Sequence, residues 1–367
     1  MQPTNSRRIV ELDGWRGIAI LCVVIGHTLN VRYGVNPQDE PTGVTGLLAA
    51  WGVDIFFIIS GFIITRLAIR ERIEQGRFST RRFYTRRILR IIPAFYFYLL
   101  CITVFATARL IDQPPHGTAL AAVFVCNVPQ MPCGWFAAHS WTLAFEEQFY
   151  LAFPLIFCVG GKRHAAVLLA IFAVLVAFPF IRFAAQLEGI WRIVGGFCGS
   201  FSFICCGAVA AAHEATLRRF AIGPLRAHLS VVSAGFLLGL AMLSVFASFP
   251  LGSPAAYAQA SLTTVFLPPC LAWLVLSLVY RDGWLAPLLR SRLLQFFGLI
   301  SYSLYLWQQV FTAEASQYLA PSLLTFPPLM VVVAALSWYC IERPCIRAGR
   351  RLSLRWPASP AIHPASP

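Results

Sequence analysis

Two stretches leave this chain few places to fold. Ala165 to Ile181 and Leu323 to Ile341 are almost wholly apolar, and each is long enough, as a helix, to cross roughly 30 Å of hydrocarbon. Composition closes off the soluble alternative, because 58% of the 367 residues are hydrophobic and only 12% charged, more apolar surface than a soluble core can hide. The sequence therefore predicts an all-α integral membrane protein. Spans are expected near 12–31, 46–66, 88–110, 142–160, 164–182, 197–213, 228–248, 260–280, 294–313 and 323–342, about ten in all.

The basic residues test this layout independently. With the N-terminus in the cytoplasm, the inner side receives Arg7, Arg8 and Arg16, the arginines from Arg66 to Arg90, Lys162 and Arg163, and the basic residues of the 218–226, 281–292 and 343–355 stretches. The outer side keeps only Arg32, Arg109, Arg182 and Arg192, four of the 29 cations. That bias predicts cytoplasmic N- and C-termini in a multi-pass protein of the cytoplasmic (inner) membrane. It also accounts for the net charge of +14 through the anionic inner leaflet, so membrane lipid is an expected partner and nucleic acid is not.

Other bounds are brief. The first span is read as a retained helix and not a removed signal. Residues 1–347 are expected to form one transmembrane domain, with 348–367 as a short, disordered cytoplasmic tail. The eleven cysteines show no metal-ligand spacing, and no metal is expected. Cys126 and Cys133 share the outer 111–141 segment, where a disulfide or two free thiols are both compatible with an oxidising space. No internal repeat is visible, which weighs against a secondary transporter.

Four polar constellations interrupt the apolar background. In ELDGWRGIAILCVVIGHTLN, Arg16 and His27 are eleven residues apart, hence on one helix face and separated by about 16 Å along the axis. Ile20 and Val23 share that face, while Ile18 and Ile25 point away. An imidazole near the bilayer midplane is by default a candidate functional group, although Arg16 can equally be a topological anchor and His27 a helix-packing residue.

The second constellation, GVDIFFIISGFIIT, places Asp54 in an otherwise apolar run, with Ser60 and Gly61 suited to close helix contact. In the third, FYTRRILRIIPAFY, Arg86, Arg87 and Arg90 fall within one turn of one another. Guanidinium groups so clustered either signal topology or clamp a phosphate. Pro93 follows, where it can bend the helix. The fourth, SWTLAFEEQFYLAFP, carries Glu146, Glu147 and Tyr150 into hydrocarbon, and at least one of those carboxylates must face inward.

Together these elements resemble the membrane-bound acyltransferase 3 family, which O-acylates sugars and some antibiotics. Arg16 and His27 match its R-x10-H element, and GVDIFFIISGFIIT, RRILRIIP, SWTLAFEEQFYL, GLISYSLYLWQ (Gly298 to Gln308) and IERP (Ile341 to Pro344) match further elements in family order. The likeness covers about residues 11 to 347. One departure is Gln308, a position that is often histidine in such proteins; this concentrates the chemistry on His27.

The resemblance implies transfer of an acyl group, most often acetyl, from a coenzyme A thioester such as acetyl-CoA to a hydroxyl. The expected catalytic residues are His27, Glu146 and Arg16. Arg16, Arg86, Arg87 and Arg90 are expected to hold the donor's phosphates, and Asp54, Glu147 and Tyr150 to face the acceptor. A neutral imidazole, with a reference pKa of about 6.5, is suited to take the hydroxyl proton, with Glu146 either orienting its ring or steadying its charged form from the outer side. An acyl-histidine relay is the alternative route. The acceptor expected first is a cell-surface or exported glycan, and second a macrolide-like small molecule; a homo-oligomer is left open. Two other classes compete, a transporter with buried proton-relay groups and a non-enzymatic membrane partner.

Overall fold

The computed structural model describes residues 9–32, 43–128, 131–187, 189–246, 253–281, 283, 285–313 and 327–354. Its elements are helices: α1 Val10–Arg32, α2 Gly43–Gln75, α3 Thr80–Thr107, α4 Pro115–Ala122, α5 Trp135–Ala138, α6 Ser140–Gly160, α7 His164–Ala184 and α8 Ile190–Ala212. There follow α9 Glu214–Ile222, α10 Arg226–Phe246, α11 Pro254–Leu276, α12 Ala286–Leu289, α13 Arg292–Phe311, α14 Pro327–Ser337 and α15 Arg343–Leu354. The all-α membrane architecture is the one the sequence predicts.

By length and composition, eight segments among the described residues can cross a membrane, against the expected ten. One reason is that Trp135–Arg182 counts as a single apolar stretch although, besides the short α5, it holds two long helices, α6 and α7, parted by Gly161 at φ 48°. The other is α13, which carries Arg292, Gln295, Gln308 and Gln309 and is not among the eight. Most of α13 is buried in protein, from Leu294 to Phe311. A helix walled by other helices has little contact with lipid and can carry polar side chains.

Three boundaries differ from expectation. The α2 helix continues past residue 66 to Gln75 and α3 begins at Thr80, so the arginine-rich stretch is two helix ends joined by a four-residue turn. Glu71 on one end pairs with Arg82 and Arg86 on the other, and this holds the hairpin in helical form. Pro93 lies inside α3 without ending it. At the C-terminal end, α15 runs beyond residue 347 to Leu354, with Gly349 packed on Leu89 and Thr85 of α3. Helix thus replaces the first part of the expected disordered tail; its remainder, 355–367, lies outside the described residues.

Helix directions follow from shared contacts. Phe57 of α2 and Phe197 and Phe201 of α8 all pack on Phe145, while further along the same two helices Arg66 ion-pairs with Glu214 just after α8. The two helices therefore run in the same direction, as the alternating layout requires of them. Close approach of α1 to α13 rests on glycine, since a Cβ at Gly17 would strike the Leu294 carbonyl and one at Gly298 the Asp13 carbonyl. That contact sets Arg16 against α13.

One end of the bundle is basic, with Arg66, Arg72, Arg82, Arg86 and Arg290 tied to Glu214, Phe157, Glu71 and Glu11. The opposite end carries the Cys126–Cys133 disulfide, one of the two states the sequence left open. Two apolar clusters fill the interior, one around Phe57, Phe62, Phe145 and Phe153 and one around Phe95, Tyr98, Leu143 and Ile300. They meet along α6, where a polar column runs between them.

Candidate active site

The column begins near the basic end. Arg87 on α3 lies over the Tyr150 ring at 5.4 Å, and the Tyr150 hydroxyl donates to Glu146 Oε2 at 3.0 Å. With its one hydrogen committed, that hydroxyl accepts from Ser60 Oγ at 2.8 Å. Arg16, Arg87, Arg90, Glu146, Tyr150 and Tyr302 line a cavity of about 60 Å³ here. A second cavity of about 70 Å³ adjoins it through Arg16, Phe56, Glu146 and Tyr302 and extends to Thr142, Ser301 and Tyr305.

The three guanidinium groups around this space are unusual. Arg16, Arg87 and Arg90 make no hydrogen bond or salt bridge to another described side chain, although Arg16 and Arg90 lie within electrostatic reach of Glu146 and Glu342. Glu342 is only 2% exposed and accepts from Ser303 Oγ at 2.9 Å. It ends the π-helical turn Trp338–Glu342, a local widening that re-aims a side chain and is frequent at functional sites.

Further along, the Tyr305 hydroxyl lies 2.7 Å from the Thr142 hydroxyl and donates to the His139 carbonyl at 2.9 Å. The His139 ring meets Tyr98 and Tyr305 edge-on, each at 5.4 Å between centroids. His27 is beyond, its ring 6.3 Å from Trp135 in a T-shaped contact and close enough to His139 for the two imidazoles to interact electrostatically. Trp135 is fixed by its own Nε1, which donates to the Gln309 carbonyl at 3.1 Å. Gly134 turns the chain into it at φ 71°, where a side chain would also strike Gln113.

The comparison with known families bears on this column directly. A family model described as an acyltransferase domain matches residues 9–342, which takes in every residue of the column. The chain belongs to the acyltransferase 3 family. A relative named "Putative O-acetyltransferase" from Staphylococcus aureus strain COL is 26% identical over 387 residues, covering 96% of this chain and 59% of that protein. The "O-acetyltransferase OatA" of Staphylococcus aureus strain NCTC 8325 is 32% identical over 171 residues, covering 41% and 25%. An "Uncharacterized protein" of Haemophilus influenzae strain Rd is 37% identical over 148 residues, covering 35% and 60%. The chain spans less than two thirds of the length of these relatives. No solved structure shows a significant match.

In this acyltransferase 3 chain, the structure brings together Arg16, Arg87, Arg90, Glu146 and Tyr150 of the residues singled out from sequence. Others are placed differently. Arg86 turns away and ion-pairs with Glu71 at 2.7 Å. Glu146, expected beside the His27 ring, sits instead in the cavities with Arg16. Glu147 Oε1 is buried without a hydrogen-bond partner among the described residues, and Asp54 lines neither cavity. Ile20 and Val23 are fully buried in the second apolar cluster. The face of α1 between Arg16 and His27 is therefore packed shut, and the polar path detours along α6 and α13 through Thr142, Tyr305 and His139. Neither Glu342 nor His139 was assigned a role from sequence; their only signals are the IERP element and a histidine immediately before SWTLAFEEQFYL.

Proposed function

We propose that the chain is a membrane-embedded O-acetyltransferase, moving acetyl from acetyl-CoA to a hydroxyl of a cell-surface or exported glycan. The observation that carries this reading is the set of three guanidinium groups, with no hydrogen bond or salt bridge to any described side chain, joined through one polar column to a part-exposed imidazole. All three are half-buried; cations so placed without bonded partners are costly inside a membrane protein, and phosphate oxygens supply the paired acceptors that guanidinium groups favour. Arg16, Arg87 and Arg90 would hold the phosphates of coenzyme A. Along α1 the two groups are about 16 Å apart, so a pantetheine arm following the detour past Thr142 and Tyr305 has at least that distance to cover.

In the reaction, His27 takes the proton of the acceptor hydroxyl as its oxygen adds to the thioester carbon. The C–S bond then breaks, and the proton passes from His27 to the departing sulfur, leaving ester and free coenzyme A thiol. The names of the staphylococcal relatives support acetyl as the group moved. A strain lacking this chain should lose alkali-labile acetyl from its surface glycan, as read by mass spectrometry of the isolated polymer. An unchanged acetylation pattern would rule out the glycan as acceptor and turn attention to small-molecule hydroxyls.

The reading places the arginines at the cytoplasmic face, where coenzyme A thioesters are made, and the disulfide end outside. The positive-inside bias and the Cys126–Cys133 bridge support that orientation. Reporter fusions after residues 75 and 222 should read as cytoplasmic, and fusions after 125 and 253 as external. An external reading at residue 75 would separate the arginines from the cofactor pool and end the proposal.

A further inference from the structure

His139 is 4% exposed, and neither of its ring nitrogens has a hydrogen-bond partner among the described residues. A buried imidazole with two idle nitrogens is rare, because an unmade hydrogen bond leaves the desolvation of the buried polar atom uncompensated. Its surroundings are also not those of a held base. The ring meets Tyr98 and Tyr305 edge-on, whereas a general base is normally oriented by a carboxylate or carbonyl on its second nitrogen. The groups near it belong to the polar column: Tyr305 lines the Arg16 cavity, together with the idle buried hydroxyl of Ser301, and His27 lies within electrostatic reach.

Resting on the acyl-transfer reading above, we infer that His139 is a second catalytic imidazole, which donates its ring N–H to the carbonyl oxygen of the acyl group. A neutral imidazole always keeps one N–H to give and gives it without carrying charge. As the acceptor oxygen adds to the carbonyl carbon, the C=O electron pair moves onto oxygen, and the His139 N–H stabilises that oxyanion through a hydrogen bond. When the pair returns, the C–S bond breaks and sulfur takes the proton that His27 removed from the hydroxyl. His139 keeps its own proton throughout. The division of labour follows exposure: His27, part-exposed, meets the incoming hydroxyl, while His139, sealed between tyrosines, faces the acyl oxygen that must be kept from water.

The test is steady-state transfer from acetyl-CoA in native membranes carrying the full chain. Loss of an oxyanion donor costs roughly 10²–10³ in kcat, so H139A should fall by that factor with the KM for acetyl-CoA within about twofold of wild type. H139Q keeps an N–H of similar reach and should hold to within about tenfold of wild type. Size-exclusion profiles in detergent establish folding; if H139A does not fold, H139Q is compared with H139M, which matches its size and lacks the donor. Wild-type kcat in H139A or H139M overturns the inference, as does equal inactivity of H139Q and H139M, or a change in KM alone. A wild-type membrane that transfers acetyl in a His27-dependent way but ignores His139 overturns this inference only. No transfer by wild type overturns the acyl-transfer reading and this one with it.

Discussion

Replacing His27 by alanine should lower acetyl transfer by roughly 10²–10⁴, the usual contribution of a positioned general base. The loss should be complete within detection if the histidine also carries the acyl group. Folding should survive, because the imidazole is part-exposed and its ring contact among the described residues is an edge-on approach to Trp135. The helix contact is made by its neighbour Gly26, which packs on Thr45 and Ala49 of α2. The KM for acetyl-CoA should stay close to wild type, since the phosphates are held elsewhere. Kinetics on membranes of matched expression, with size-exclusion profiles as the folding control, read both quantities. A variant with an intact profile and wild-type kcat would remove His27 from the mechanism.

Arg90→Ala is expected to act on binding. A hydrogen bond to a charged group contributes about 1.5–3 kcal/mol, which converts to roughly 10–150-fold in the KM for acetyl-CoA, with a smaller change in kcat. The separation of effects is geometric: Arg90 lines the cavity with Arg16 and Arg87, far along the column from His27. Arg86→Ala provides the contrast, because that side chain is 42% exposed and ion-pairs with Glu71. Its loss should leave the KM near wild type and affect the α2–α3 turn instead. Equal KM increases in both variants would mean that the cluster attracts anions by charge alone and is not a shaped phosphate site.

What the sequence made legible was periodic. Arg16 and His27 share a helix face because eleven residues is close to three turns, and Arg87 and Arg90 reach one cavity by the same arithmetic. Periodicity does not say what faces a residue across the bundle. Arg86 and Arg87 are adjacent in sequence, yet Glu71 from the next helix captures one and leaves the other to the cavity. Ile20 and Val23 lie on the expected face, but that face is packed and not open. Glu146 was legible as an inward-facing carboxylate; that it faces Arg16 depends on how α6 is set against α1. His139 was the hardest to see, since it precedes α6 and its tyrosine neighbours arrive from α3 and α13. A lone histidine beside a stronger motif gives little sign of burial until those helices are in place. The span near 294–313 was legible as a helix, although its polar residues make sense only once α13 is seen buried inside the bundle.

The proposed chemistry centres on one imidazole, His27. Native membranes carrying either the wild-type chain or His27→Ala, supplied with acetyl-CoA labelled in the acetyl group, should release coenzyme A thiol and incorporate label into alkali-labile ester with wild type alone. Equal thiol release and equal ester label from both, or neither from wild type, would contradict it.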